Sequence, residues 1–214
     1  MVRALSLLLA GLLAVAAPSL PAAGPDGGGM ARLEAFLGSV RTLTAQFSQD
    51  VVDADGRLVE SAQGDMALAR PGRFRWDYRE PYERVVVADG TRLWLYEADL
   101  EQVTVRALGA GLGETPAALL TGERSALERF ERVSEWSGED LAWVKLRPRA
   151  ADADFESVTI GFAGRTPVRL ELADRLGQQT RIVLTDVRLD APVPDARFRF
   201  EPPPGVDVIR EGEL

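Results

Sequence analysis

From Phe47 onward the apolar residues recur with a period of two, and turn residues break the pattern at short intervals. Nothing else in the chain restricts its architecture as strongly. A period of two sends alternate side chains to opposite faces of a strand. Residues 73–79 (RFRWDYR) alternate strictly: Phe74, Trp76 and Tyr78 share one face, and Arg73, Arg75, Asp77 and Arg79 the other. Further strands are predicted at 47–52, 58–70, 83–88, 92–97, 102–108, 141–147, 155–162, 168–173, 179–189 and 197–200. Asp55-Gly56, Pro71-Gly72, Asp89-Gly90, Ala163-Gly164 and Leu176-Gly177 supply turns between them. Many short strands joined by tight turns imply an antiparallel sheet, most economically one large curved meander. No period of 20–50 residues repeats, which excludes solenoids and propellers.

Ahead of the strands the period is helical. Met30, Leu33, Phe36, Leu37, Val40 and Leu43 follow at steps of three and four, so a helix over 30–43 would carry one apolar stripe. Leu33, Phe36 and Val40 should lie against the concave face of the sheet, with Arg32 and Arg41 exposed. Residues 109–122 (GAGLGETPAALLTG) interrupt the sheet, and Thr115-Pro116 reads as an N-cap and first helical residue. Residues 125–132 fit either a helix or a strand.

The segment 92–97 (RLWLYE) stands apart. Leu93 and Leu95 point one way, Trp94 and Tyr96 the other, and both faces are apolar or aromatic. A sheet with one wet face does not need this. A helix, a ligand or a partner must cover the second face.

Composition then narrows the chemistry. The chain has no cysteine and no histidine. Disulfides, thiolate metal sites and cysteine nucleophiles are thereby excluded, as is a lipid-modified cysteine. The usual zinc ligand and the commonest general base are missing too. Carboxylate pairs such as Glu139-Asp140 and Asp152/Asp154 lie in loop-like stretches and read as solvated surface. Gly27-Gly28-Gly29 lacks the context of a phosphate loop. A formal net charge of −8 argues against a nucleic-acid partner. No cofactor is expected. At the start of the chain, Arg3 precedes an apolar run shorter than the ~18 residues that spanning a membrane requires, and small residues and prolines follow it. Residues 1–23 therefore read as a cleaved signal peptide and 24–214 as a single domain.

Arg70-Pro71 followed by Phe74-Arg75-Trp76 is the most informative stretch. On chemistry alone it is a strand entered through a turn, with Phe74 and Trp76 in the core. Arg70 adds a fork of donors suited to carbonyls or a carboxylate at the edge of an apolar space. With these residues stand Phe47-Ser48-Gln49, Gly64-Asp65, Pro81, Val87-Ala88-Asp89-Gly90, Leu93-Trp94-Leu95-Tyr96, Leu100-Glu101-Gln102, Thr115-Pro116, and Phe198-Arg199-Phe200-Glu201-Pro202-Pro203 with Gly205-Val206. In that order, over nearly the whole mature chain, they resemble the periplasmic outer-membrane lipoprotein carrier family, LolA.

The resemblance implies an incomplete, strongly curved antiparallel barrel of about eleven strands under a lid of short helices, mainly β in class. It implies a monomeric periplasmic chaperone, not an enzyme. Such a chaperone takes acylated lipoproteins from an inner-membrane ABC transporter and hands them to an outer-membrane receptor. It assigns Leu33, Phe36, Val40, Arg70, Trp76, Trp94, Tyr96 and Leu119 to the lid and acyl-chain cavity. Arg70 would hydrogen-bond the lid. Phe74 would dock the transporter, and a docking role requires it to be more exposed than Trp76. Ala117-Ala118 makes the lid segment small. Two rivals belong to other classes: a lipid-sensing regulatory half-barrel that holds one partner, and a secreted carboxylate-dependent hydrolase, for which no candidate pair is apparent.

Overall fold

The computed structural model describes residues 27–108, 120, 124–151, 153 and 155–212. The 1–23 leader, Leu119 and most of the 109–122 interruption lie outside the described residues. A helix α1 (Gly29–Ser39) precedes twelve strands: β1 (Thr42–Val52), β2 (Leu58–Ala69), β3 (Arg73–Glu80), β4 (Arg84–Asp89), β5 (Arg92–Glu97), β6 (Gln102–Ala107), β7 (Phe130–Gly138), β8 (Leu141–Pro148), β9 (Ser157–Ala163), β10 (Thr166–Ala173), β11 (Gln179–Leu189) and β12 (Asp207–Glu211). They form one open sheet in the order β12-β6-β5-β4-β3-β2-β1-β11-β10-β9-β8-β7. All neighbours are antiparallel except β12, which lies parallel to β6. The expected curved, incomplete barrel is thus present, with twelve strands rather than about eleven.

The main core fills the concave face. Leu43, Ala45 and Phe47 of β1 meet Met66 and Leu68 of β2, Phe74 and Trp76 of β3, and Ala88 and Leu93 beyond them. Val144, Leu146, Val158, Ile160, Phe162, Leu170 and Ile182 complete it from the other half. The strands bend around this core at bulges, among them one between Gln63 and Gly64. A side chain at Gly64 would collide with the Asp77 carbonyl of β3, so only glycine lets the strands approach so closely there.

The helix ends earlier than its stripe suggested. Val40 is already extended, its N–H bonded to the Phe36 carbonyl. The chain is then captured by the far strand: Asp190 Oδ1 accepts from the Arg41 N–H at 2.8 Å, and the Thr42 hydroxyl donates to the Ala191 carbonyl at 2.6 Å. Leu43 therefore belongs to β1, which starts at Thr42 rather than at Phe47. Two β-branched threonines, Thr42 and Thr44, favour that outcome.

Two further expectations need correction at the C-terminus. Residues 197–200 are not a strand: Asp195–Phe198 makes a 3-10 turn framed by Pro192 and Pro194. The last strand is instead β12. The segment between β11 and β12 crosses the convex face as a strap. Phe198 is buried with Ala67, Ala69 and Val193, and Phe200 packs on Trp94 and Tyr96 at ring separations of 5.8 and 5.9 Å. Arg197 ties the strap to β3 through Asp77 at 2.7 Å, which also holds Arg75 at 2.7 Å. Residues 125–132, left open between helix and strand, divide into a 3-10 turn (Arg124–Arg129) and the start of β7.

Candidate functional site

The helix-covered concave face gathers most of the residues singled out in the sequence. Leu33, Phe36, Leu37 and Val40 are buried on it. The helix lies over β7, β8 and β9, with Phe36 6.3 Å from the Phe162 ring. Its N-terminus has no capping side chain of its own, since the cap residue is Gly28. Glu135 of β7 substitutes, accepting from the Met30 N–H at 3.2 Å. A side chain at Gly29 would collide with the Trp143 carbonyl, so glycine lets the first turn settle directly on β8. Arg41 is exposed as expected, but Arg32 is half-buried, because its guanidinium donates to the Gly164 and Phe162 carbonyls at 2.9 and 3.4 Å.

Arg70 is the polar centre of this face. It follows the last residue of β2 and is only 8% exposed. Nη1 donates to the Val40 carbonyl and to the Phe36 carbonyl at 3.3 Å; Nη2 donates to the Leu120 carbonyl at 2.7 Å. The guanidinium carbon also sits 4.7 Å from the Phe36 ring centroid. One side chain thus binds the last carbonyls of α1 to the 109–122 interruption, of which Leu120 is fully buried in the main core. Burial, with some repulsion from Arg41 and partial relief from Asp190, lowers the guanidinium pKa to about 10. It remains charged at neutral pH. Carbonyls at the end of the helix, one of which already accepts from the Val40 N–H, receive a charged donor, and the donor receives acceptors that offset its loss of water.

Trp76 is buried on the same face, its ring 4.8 Å from Phe47 and 6.5 Å from Tyr78. The Tyr78 hydroxyl donates to Gln49 Oε1 at 3.2 Å, and burial pushes the phenol pKa up. Beyond Tyr78 a cavity of about 270 Å³ opens between Ala62, Arg84, Glu60, Glu97, Pro81 and Tyr82.

Three placements differ from expectation. Phe74 is 0% exposed and Trp76 3%, so Phe74 is no more accessible than its neighbour. It packs in the main core with Leu68 and Ala88, and its burial returns it to the packing reading. Trp94 and Tyr96 belong to the opposite, convex face. Leu93 points into the concave core, the next residue must point away, and the strap's Phe200 covers both rings. The second apolar face of β5 is thus satisfied by the chain's own C-terminal segment. Leu120 and Phe200 were not among the sequence candidates. Leu120 directly follows Leu119 in the sequence; Phe200 was hidden in an alternation that mimicked a strand.

The arrangement has the form of an apolar trough with a polar clasp. Among the described residues no group of three or more acidic side chains could hold a metal ion.

A family model, outer membrane lipoprotein carrier protein LolA, matches residues 38–201. The chain is 43% identical over 181 residues to the outer-membrane lipoprotein carrier protein of Chromobacterium violaceum, covering 84% of this chain and 86% of that one. It is 41% identical over 180 residues to the protein of the same name from Methylococcus capsulatus, with the same shares covered. A solved structure of an uncharacterised conserved protein from Thermus thermophilus superposes with a TM-score of 0.51 over 85% of this chain and 96% of that one. At 14% identity that likeness concerns the fold alone. Spanning nearly the full length of relatives that carry one name, and matching their family model from the end of α1 through β11 and most of the strap, the chain belongs to the outer membrane lipoprotein carrier family, LolA.

Proposed function

We propose that this chain is a periplasmic carrier that shields the acyl chains of lipoproteins between the inner and outer membranes. The observation that carries the reading is the Arg70 clasp over an apolar concave face. Each methylene kept from water is worth ~0.8 kcal/mol, so acylated proteins cannot cross an aqueous gap unshielded. A trough permanently open to ligand would bind such chains too tightly to release them. Here Leu33, Phe36, Leu37 and Leu120 occupy the concave face themselves. Ligand must displace them, and net affinity falls by the free energy of opening. The clasp suits that cycle: its hydrogen bonds favour the closed state, while the desolvated guanidinium regains water when the face opens.

The cargo enters and leaves through partners in this reading: an inner-membrane ABC transporter that loads the carrier and an outer-membrane receptor that binds the cargo more tightly. The chain does no chemistry of its own and needs no cofactor. The name printed for its relatives supports the cargo class. Mass spectrometry of material that co-purifies with the mature protein from periplasm tests the reading. Many different acylated lipoproteins are expected. A single constant partner would favour a sensor instead, and the absence of acylated species would overturn the carrier role.

A further inference from the structure

Trp76 carries the one side-chain nitrogen or oxygen that is buried without a hydrogen-bond partner among the described residues, its indole Nε1. Such an atom is rare because an unmade bond in a dry interior is unfavourable, and each instance in a folded protein calls for a physical reason. A phenylalanine at this position would fill a similar apolar site without leaving a donor unsatisfied. The indole is also not in a peripheral pocket. It sits in the main core on the concave face, beside the Phe47 and Tyr78 rings, in a wall otherwise built from Met66, Leu68, Phe74 and Leu93. The next aromatic along the strand, Tyr78, shows how the same wall satisfies a polar atom when a partner is supplied: its hydroxyl has Gln49. Trp76 has no equivalent.

We propose that the Trp76 indole N–H is the recognition donor for the carbonyl of a bound acyl group. This rests on the carrier reading and deepens it. An acyl chain is a hydrocarbon that ends in one carbonyl, an ester or an amide where it joins its head group. A wall that is apolar everywhere would hold any hydrocarbon equally well at any depth. A single buried donor distinguishes an acyl chain from an alkane, because only the acyl chain supplies the missing acceptor. It also sets register: the carbonyl stops at Trp76, and the chain runs on along the apolar concave face. The reward for the right ligand is large because the alternative leaves the donor unpaired.

Two ligands of matched length read this out: methyl dodecanoate, which has an ester carbonyl, and tetradecane, which has no acceptor. Affinities come from displacement of a fluorescent apolar dye from the purified protein. Wild type should prefer the ester by about tenfold, the effect of one net hydrogen bond in a dry site. The indole N–H resonance of Trp76, in ¹⁵N-labelled protein, should move downfield with the ester and not with the alkane. Trp76→Phe should lose that preference and bind the ester no better than the alkane, whatever the smaller ring does to the affinity for both. Equal affinities in wild type overturn the donor role and leave the carrier reading intact, and that comparison needs no variant to fold. Failure of wild type to bind either ligand overturns both. A tenfold preference that survives in Trp76→Phe places the acceptor's partner elsewhere and also overturns it.

Discussion

Arg70 and Phe74 stand four residues apart at the same corner of the sheet, and their environments give them opposite kinds of consequence. Arg70 contributes donors and little core. Replacing it with leucine removes the bonds to Phe36, Val40 and Leu120 but leaves the strands intact. Losing the net worth of even one hydrogen bond to a charged group, about 1.5–3 kcal/mol, should lower the population of the closed state ten- to a hundredfold. In the proposed carrier cycle, Arg70→Leu is expected to fold, to load a purified lipoprotein at least as well as wild type, and to pass it to the outer-membrane receptor of that cycle more slowly. Transfer at the wild-type rate would show that the clasp does not govern release. Phe74 contributes core and no polar contact. Phe74→Ala should lower stability by about 3–5 kcal/mol, as burying and then deleting an aromatic ring does. Denaturant titration measures it. A loss below about 1 kcal/mol would contradict its position among Leu68, Trp76 and Ala88.

At the scale of elements, α1 is held to the sheet through side chains rather than through a backbone ladder. It is short, its own sequence provides neither a side-chain cap nor an acidic first turn, and its Met30 N–H relies on Glu135 from an edge strand. Glu135→Ala should cost about 0.5–2 kcal/mol, the worth of an N-cap, and the loss should be local. Hydrogen exchange of residues 29–39 is expected to speed up while the β1–β2 amides stay protected; uniform acceleration would mean that helix and sheet unfold as one unit. This element also marks where sequence reasoning succeeds and stops. Its stripe was legible because Leu33, Phe36, Leu37 and Val40 face one surface. Its end was not, because Leu43 continues the three-four spacing by coincidence after the backbone has become extended. β3 was legible from strict alternation. β7 was ambiguous because nearly all its residues are exposed at an edge, where burial imposes no period. For Trp94 and Tyr96, alternation established that they share a face but could not say which face the helix covers. Arg70 was identified by residue type and motif; its three carbonyl partners, 30–50 residues away in sequence, required the fold.

For the whole molecule, the order of strands matters as much as their number. β1 lies near the middle of the sheet, between β2 and β11, with Leu43 opposite both Leu68 and Leu189. Its first partner follows within a few residues, while its second is completed only 137 residues after the strand ends, at Leu189. A chain emerging in order from a ribosome or a translocation pore therefore holds a folded meander of β1 to β6 with one long central edge unpaired. Contacts of such separation are slow to form, and an open edge is a template for other chains. Pulse-labelled refolding should show the β2–β6 amides protected first and the β1–β11 ladder last; simultaneous protection would remove the interval. A chain truncated before Gln179 should collect in aggregates at concentrations where the full chain stays in solution. The same hydrophobic surface that suits the finished molecule to greasy cargo is thus a hazard during its own birth. Covering the β1 edge until Leu189 arrives would protect the unfinished chain much as the proposed carrier protects its cargo.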